Sequence, residues 1–231
     1  MRRIEPSLIS VAADEVIRAQ GADPDALRSR RPALWAQVCD AIALGQQVIQ
    51  PAVWVRTFPV AAVQHNRVEL SGGQALSGEL VVDQLAGAER VVVGLTTLGA
   101  ALDELIRVWM ERDVAFGFLL DAYGSVAAEK LSLLVQEETA AEACAGGASV
   151  SMAVNPGMTG WPVDQGQPQI FRALQPDAEW IRLTPAALIL PRKSCSFVLG
   201  IGQDLARGAP CDYCAARDRC VQRNARSGAN G

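Results

Sequence analysis

The feature that most narrows the choice of folds is a continuous apolar run, AERVVVGLTTLG, at residues 88–99. A valine-rich run of this length is typical of a β-strand that is buried on both faces. Helix-like and strand-like patterns surround it in an irregular order, and no internal repeat is detectable. This irregular mixture favours an α+β domain over a doubly wound α/β domain.

Hydrophobic periodicity and the positions of glycine and proline predict the remaining elements. Helices are predicted at residues 11–20, from Asp23-Pro24, at 32–48, at 77–86, from Ala100 to about Cys144 with a break near Asp113, and at 167–174. Further strands are predicted at 53–63, 66–73 and 148–157, with one or two more at 181–202 that break at Pro191. The helical stripe of residues 32–48 also predicts that Cys39 is a small buried side chain.

This order of elements predicts three parts. A helical segment, residues 1–50, is expected to pack on an α+β main domain, residues 51–205. A basic, cysteine-rich tail follows at residues 206–231.

Charge and hydropathy exclude several classes of partner. The net charge is −4 and the isoelectric point is near 5.1, so bulk electrostatics gives no reason to expect binding to nucleic acid or to an anionic membrane. No apolar stretch is long enough to span a membrane, and the N-terminal MRRIEPSLIS has no apolar core of a signal peptide. We therefore predict a cytoplasmic protein whose thiols are reduced.

Common catalytic motifs are missing from the sequence. His65 is its single histidine, which excludes sites that need two histidines. The nucleophile motif GxSxG and the phosphate-binding motif GxxxxGK[ST] do not occur. The chain therefore has no self-sufficient active site of a common type.

Four segments in fixed order carry a more specific signal: GLTTLGAALDELI, LLDAYGSVAAEKL, NPGMTGWPVDQGQPQIFRAL and IRLTPAALILPRKSCSFVLGIG. Together they resemble the activation domain of cobalamin-dependent methionine synthase and its stand-alone relatives, over roughly residues 15–205. The resemblance implies a C-shaped α+β fold with a central, mostly antiparallel sheet. It also implies binding of S-adenosylmethionine and reductive reactivation of an oxidised corrinoid.

The corrinoid itself is expected to arrive on a partner protein. The corrinoid-ligand motif DxHxxG is missing, since position 63, two before His65, is valine. The implied partner is a corrinoid-binding methyltransferase or the cobalamin-binding module of a methionine synthase, with a redox partner as a further possibility.

The resemblance also implies where S-adenosylmethionine binds. The family's proline-glycine turn is Pro156-Gly157, preceded by Asn155, and glycine lets a backbone approach a ligand closely. Glu129 matches a family glutamate suited to the cationic amino group of the ligand; the alternative is a solvated helix carboxylate.

Two departures from the family pattern predict weak binding. Ala153 stands where the family has an arginine, and Met158 stands where it has a tyrosine. These changes remove a carboxylate clamp and an aromatic wall. Trp161 either stacks on the ligand or fills the core, and Thr184 and Ser194 correspond to polar positions on the strands that face the family's ligand site.

The tail segment CDYCAARDRC, residues 211–220, contains three closely spaced cysteines. The pair Cys211 and Cys214 has the spacing that lets two thiolates share one metal ion or one cluster edge, and Cys220 adds a third. Cys195 is the expected fourth ligand and Cys144 the reserve. An iron-sulfur cluster would suit a redox function, zinc would suit a structural one, and unligated thiols in a solvated tail are the third possibility.

These observations predict the separate activation component of a split methionine synthase, a methyltransferase accessory that binds S-adenosylmethionine. The alternative is an iron-sulfur electron-transfer or docking protein that serves a corrinoid protein without S-adenosylmethionine chemistry.

Overall fold

The computed structural model describes residues 1–203 together with residues 205 and 213. Its helices are a 3-10 turn at Pro6–Leu8 and α1 (Ala13–Ala19), α2 (Pro24–Arg30), α3 (Pro32–Val48), α4 (Glu79–Leu85), α5 (Ala100–Arg112), α6 (Val114–Ala145) and α7 (Val163–Leu174). Its strands are β1 (Arg2–Arg3), β2 (Ala52–Gln64), β3 (Arg67–Leu70), β4 (Gln74–Ser77), β5 (Arg90–Thr97), β6 (Ser149–Val150), β7 (Arg182–Leu183), β8 (Ile189–Leu190) and β9 (Ser194–Gly202).

A curled antiparallel sheet forms the centre of the molecule, with strand order β4-β3-β2-β5-β9-β6 and with β1 also beside β2. Strand β5 lies between β2 and β9 and pairs with both along its whole length. Its valines alternate between the two faces: Val92 joins one hydrophobic cluster, and Val91 and Val93 join another. The predicted buried strand and the predicted α+β fold with a mostly antiparallel sheet are both confirmed.

Alternate side chains of strand β9 face the two layers that cover this sheet. Alternate residues from Cys195 to Ile201 pack towards α6, whereas Val198 packs towards α4 and α7. Phe197 crosses over Gly94 of β5, where any side chain would lie 2.2 Å from the phenyl ring. We call the two sides of β9 the α6 face and the α7 face.

The long helix α6 begins where the sequence predicts a break. Asp113 ends α5, and its Oδ1 accepts a hydrogen bond from the backbone N–H of Phe116 at 3.2 Å, which caps α6. Glycine and alanine along α6 let other elements approach it closely. Gly45 of α3 likewise lets α3 approach α6, because a side chain at Gly45 would lie 2.4 Å from the ring of Tyr123 in α6.

The structure corrects three local predictions and adds one strand that was not predicted. Cys39 is exposed, because α3 turns Val38 and Ala41 towards the core and leaves the next position outside. Residues 148–157 form only the short strand β6 and one further bridge at Val154. Residues 181–202 form the β7–β8 hairpin as well as β9, and β4 is an additional short strand.

Among the described helices, none combines the length and the apolar character that crossing a membrane requires.

Candidate functional site

Only some of the predicted ligand residues meet at the start of β9: Glu129 and Asn155 lie near its first three residues, but on different sides of it. Cys195 points to the α6 face, where it packs against the first hydrophobic cluster. Ser194 and Ser196 point to the α7 face, where they bond to Thr97 and Gln167 respectively. The residues at the start of β9 therefore face two different environments, whereas the sequence analysis predicted a single ligand site.

On the α6 face, the carboxylate of Glu129 lies close enough to the half-buried thiol of Cys195 to affect its pKa. The thiol lies 3.7 Å from the carbonyl oxygen of Ala128, one residue before Glu129. Burial raises the pKa of Cys195 to about 11, and the carboxylate of Glu129 adds to the increase. Glu129 itself is exposed, and its carboxylate has no hydrogen-bond partner within the part of the chain that the structure describes.

The predicted proline-glycine turn lies at the open edge of β9. Val154 pairs with Val198, and the next residue, Asn155, donates from Nδ2 to the carbonyl oxygen of Ser196 at 2.8 Å. Gly157 is exposed with φ of 102°, a conformation that glycine adopts without strain. The turn is thus held beside the strand residue that follows Cys195.

Met158 closes this turn from inside. The backbone N–H of Asn155 donates to its Sδ at 3.3 Å, and the backbone N–H of Met158 donates to the carbonyl oxygen of Asn155 at 3.1 Å. Pro156 packs against α7, where a side chain at Gly166 would approach it to 2.8 Å. The loop is therefore held by internal hydrogen bonds and by packing on α7, and its backbone donors near Asn155 are already used.

Trp161 lies in the core and not in a cleft. Its side chain is fully buried and belongs to the cluster that contains Val198. Glycines at positions 78 and 166 leave room for the indole, since side chains there would approach it to 2.6 and 2.8 Å. Of the two roles predicted for Trp161, the structure favours packing over stacking on a ligand.

Thr184 holds the β7–β8 hairpin together. Its backbone N–H donates to the carbonyl oxygen of Leu188 at 2.8 Å, and its Oγ1 accepts from the N–H of the same residue at 3.1 Å. Both bonds are internal to the turn, so the hydroxyl contributes to the shape of the hairpin.

A cavity of about 330 Å³ opens on the α7 face, between α7 and the β7–β8 hairpin. It is lined by Val163, Gln167, Ala187, Leu188, Ile189, Leu190, Arg192 and Ser194. Ser194 is the predicted residue that reaches it; its hydroxyl lies 2.8 Å from Thr97 Oγ1 and 2.7 Å from the carbonyl oxygen of Pro191. The cavity volume is at the lower end of the range for small-molecule sites.

Sequence reasoning missed two residues of this cavity, Gln167 and Arg192. Gln167 lies in a helix with several polar residues, and nothing in the sequence distinguishes it from them. Only the fold shows that its side chain is buried. For Arg192, the sequence did offer a signal: the basic pair Arg192-Lys193 stands directly before a buried strand. The structure divides that pair, because Lys193 is buried against Asp121 at 2.8 Å whereas Arg192 is exposed.

The predicted metal ligands can be described only in part. Cys211, Cys214 and Cys220 lie outside the described residues, so a site formed by them stays a prediction. Cys195 is described, and its raised pKa disfavours the thiolate that metals bind. Within residues 1–203, 205 and 213, no group of three or more histidine, cysteine, aspartate or glutamate side chains is arranged to hold a metal ion.

No protein-family model and no curated protein matches the sequence. Among solved structures, the chain is similar to the MetH reactivation domain in its crystal structure with bound AdoHcy. The two share 14% sequence identity with a TM-score of 0.66, and the match covers 96% of this chain and 85% of that one. The chain therefore has the fold of the MetH reactivation domain.

Proposed function

We propose that the protein reactivates a corrinoid methyltransferase, as the separate activation component of a methionine synthase, and that it binds S-adenosylmethionine for this purpose. The observation that carries the proposal is the match to the MetH reactivation domain across almost the whole chain. Because that structure holds AdoHcy, the demethylated form of S-adenosylmethionine, a related ligand is the first to test here.

The exposed carboxylate on the α6 face suits the cationic end of this ligand. S-adenosylmethionine carries an ammonium group and a sulfonium centre, and both attract a carboxylate. Glu129 offers an exposed carboxylate whose oxygens accept no hydrogen bond from other described residues. It lies next to the start of β9, where the Asn155 turn also meets the strand.

The other end of the ligand has a poorer partner. Ala153 is partly buried against the hydrophobic cluster that contains Phe197. Because this position is alanine, it offers no charge to the carboxylate of the ligand. Charge-assisted bonds from arginine are among the stronger contacts in such sites. We therefore expect a dissociation constant in the millimolar range, weak enough that the protein is purified without the ligand.

The cobalt chemistry would take place on a partner. His65 follows β2 at the turn to β3, with valine two positions before it, so the corrinoid-ligand motif is missing from this chain. A cobalamin-binding module would bring the oxidised corrinoid, a one-electron donor would reduce it, and S-adenosylmethionine would supply the methyl group. The products are the methylated corrinoid and S-adenosylhomocysteine.

A reactivation assay tests this function directly. A cobalamin-binding methionine synthase module is inactivated by oxidation and then incubated with this protein, S-adenosylmethionine and a one-electron reductant. We expect methionine synthesis to recover only when all three are present. Recovery that is equal without the protein contradicts the proposal, and recovery that does not need S-adenosylmethionine favours the docking or electron-transfer alternative.

The cysteine tail belongs to the same proposal. We propose that Cys211, Cys214 and Cys220 hold an iron-sulfur cluster, with zinc as the alternative, on the support of their spacing alone. Anaerobic purification followed by iron, sulfide and zinc analysis distinguishes the two. Cys214→Ser should lower the metal content and Cys39→Ser, at an exposed position on α3, should not. A metal-free protein contradicts this part.

A further inference from the structure

We propose that the cavity between α7 and the β7–β8 hairpin binds a small organic monoanion, a carboxylate attached to an apolar body. The proposal rests on the donors and walls of this cavity and does not depend on the proposed function. We call this cavity the hairpin cavity and define it by Gln167, Arg192, Ser194 and the hairpin residues 187–190.

The floor of the hairpin cavity holds an amide whose donors are not used. Gln167 is only 8% exposed. Its Oε1 accepts a hydrogen bond from the hydroxyl of Ser196 at 3.0 Å, which fixes the orientation of the amide. Its Nε2 makes no hydrogen bond to any described residue, although it lines the cavity. This donor is accessible from the cavity, so the oxygen of a ligand is a suitable partner for it.

Arg192 provides the charge at the mouth of the cavity. Its side chain is exposed and forms no ion pair with a carboxylate of the described chain. Asp103 contacts the backbone of this residue and not its guanidinium, since Oδ2 of Asp103 accepts from the backbone N–H of Arg192 at 2.5 Å. A guanidinium forms paired hydrogen bonds with a carboxylate.

The remaining walls are apolar and firmly held. Ala187 is buried with φ of 57°, an uncommon conformation for a residue other than glycine. Its N–H donates to the carbonyl oxygen of Thr184 at 2.9 Å, within the same turn that Leu188 closes. Ile189 and Leu190 line the cavity beside it. A hairpin fixed in this way keeps the cavity open without a ligand.

The balance of charge selects the class of ligand. One guanidinium borders the hairpin cavity, and the neighbouring Lys193 is engaged with Asp121 and Ser125 at 2.8 and 2.9 Å. A carboxylate brings one negative charge, which Arg192 balances. A phosphate monoester would bring nearly two, and its second charge would have no partner. The apolar walls favour an aliphatic body behind the carboxylate.

Calorimetric titration with sodium hexanoate tests the proposal, with 1-hexanol as the uncharged probe of equal chain length. We expect hexanoate to bind with one site per chain and hexanol to bind at least about tenfold more weakly, as the loss of a charge-assisted hydrogen bond predicts. Arg192→Gln should reduce hexanoate affinity by a similar factor and leave hexanol binding unchanged. Arg182→Gln, on the same hairpin but outside the cavity lining, should leave both unchanged.

A second measurement keeps the test independent of calorimetric heat. In an ¹⁵N-correlated NMR spectrum, the side-chain amide of Gln167, identified by its loss in Gln167→Met, should shift on addition of hexanoate. Equal binding of hexanoate and hexanol, an Arg192→Gln variant with normal hexanoate affinity, or no binding of either probe would each overturn the proposal.

Discussion

The two faces of β9 differ in what surrounds its first three residues, 194–196. On the α6 face, Phe197 and its neighbours fill the space between sheet and helix, and Cys195 is the residue beside a polar group, Glu129. On the α7 face, Ser194 and Ser196 hold hydrogen bonds beside an open cavity. The polar side chains of β9 are therefore confined to its first residues, whereas Val198 on the α7 face is as fully buried as Phe197 on the α6 face. The two candidate ligand sites lie on opposite faces.

The largest change in stability should come from the apolar residues on the α6 face of β9. Phe197→Ala removes a fully buried ring that packs on Gly94, and we expect it to lower the free energy of unfolding by about 3–5 kcal/mol. Urea denaturation followed by circular dichroism measures the change. Val55→Ala, at a position that is 41% exposed on β2, should change it by about 0.5 kcal/mol or less. Equal losses in both variants would show that Phe197 is not part of a tightly packed core.

The adjacent residue on the other face should matter less for stability and more for binding. Ser196→Ala leaves Oε1 of Gln167 without its donor and should lower the free energy of unfolding by about 1–2 kcal/mol. Because the amide is then free to rotate, hexanoate affinity should also fall. Ser71→Ala, at an exposed position after β3, is the matched control, since its hydroxyl makes no hydrogen bond to a described residue and lies outside the hairpin cavity. A stable Ser196→Ala protein with normal hexanoate affinity would separate Gln167 from binding.

A smaller effect should appear at alkaline pH through Cys195. Its pKa rises from 9.0 to about 11 on folding, so the native state holds the thiol proton more tightly than the unfolded chain. This contribution to stability is complete below pH 9 and is lost as the pH rises through about 11. Burial also raises the pKa of Tyr123, which acts in the same direction.

Unfolding free energies measured from pH 8 to pH 11 test this effect. Cys195→Ala should flatten part of the decline, whereas Cys39→Ala, at an exposed site, should leave it unchanged. Glu129→Gln should lower the pKa of Cys195, since one cause of the increase is removed. Identical pH profiles for all the proteins would show that the thiol of Cys195 is not in the environment described.

Local patterns predicted much of the fold because the elements concerned depend on local sequence. The valine run of β5 and the break at Asp113 are of this kind. The burial of Trp161 could not be predicted, because it depends on close approach at two glycines that are distant in sequence. The hairpin cavity was missed for a similar reason: Gln167 and Arg192 meet only when α7 and the β7–β8 hairpin are both in place. The three tail cysteines remain a prediction from spacing.

We propose that S-adenosylmethionine binds on the α6 face through Glu129, separately from the hairpin cavity. Calorimetry with S-adenosylmethionine and S-adenosylhomocysteine at millimolar concentration tests it in four proteins: wild type, Glu129→Gln, Glu137→Gln at an exposed position of the same helix, and Arg192→Gln. We predict binding in wild type, Glu137→Gln and Arg192→Gln, and weaker or undetectable binding in Glu129→Gln. No heat with the wild-type protein, or a loss in Arg192→Gln that Glu129→Gln does not show, would contradict the account.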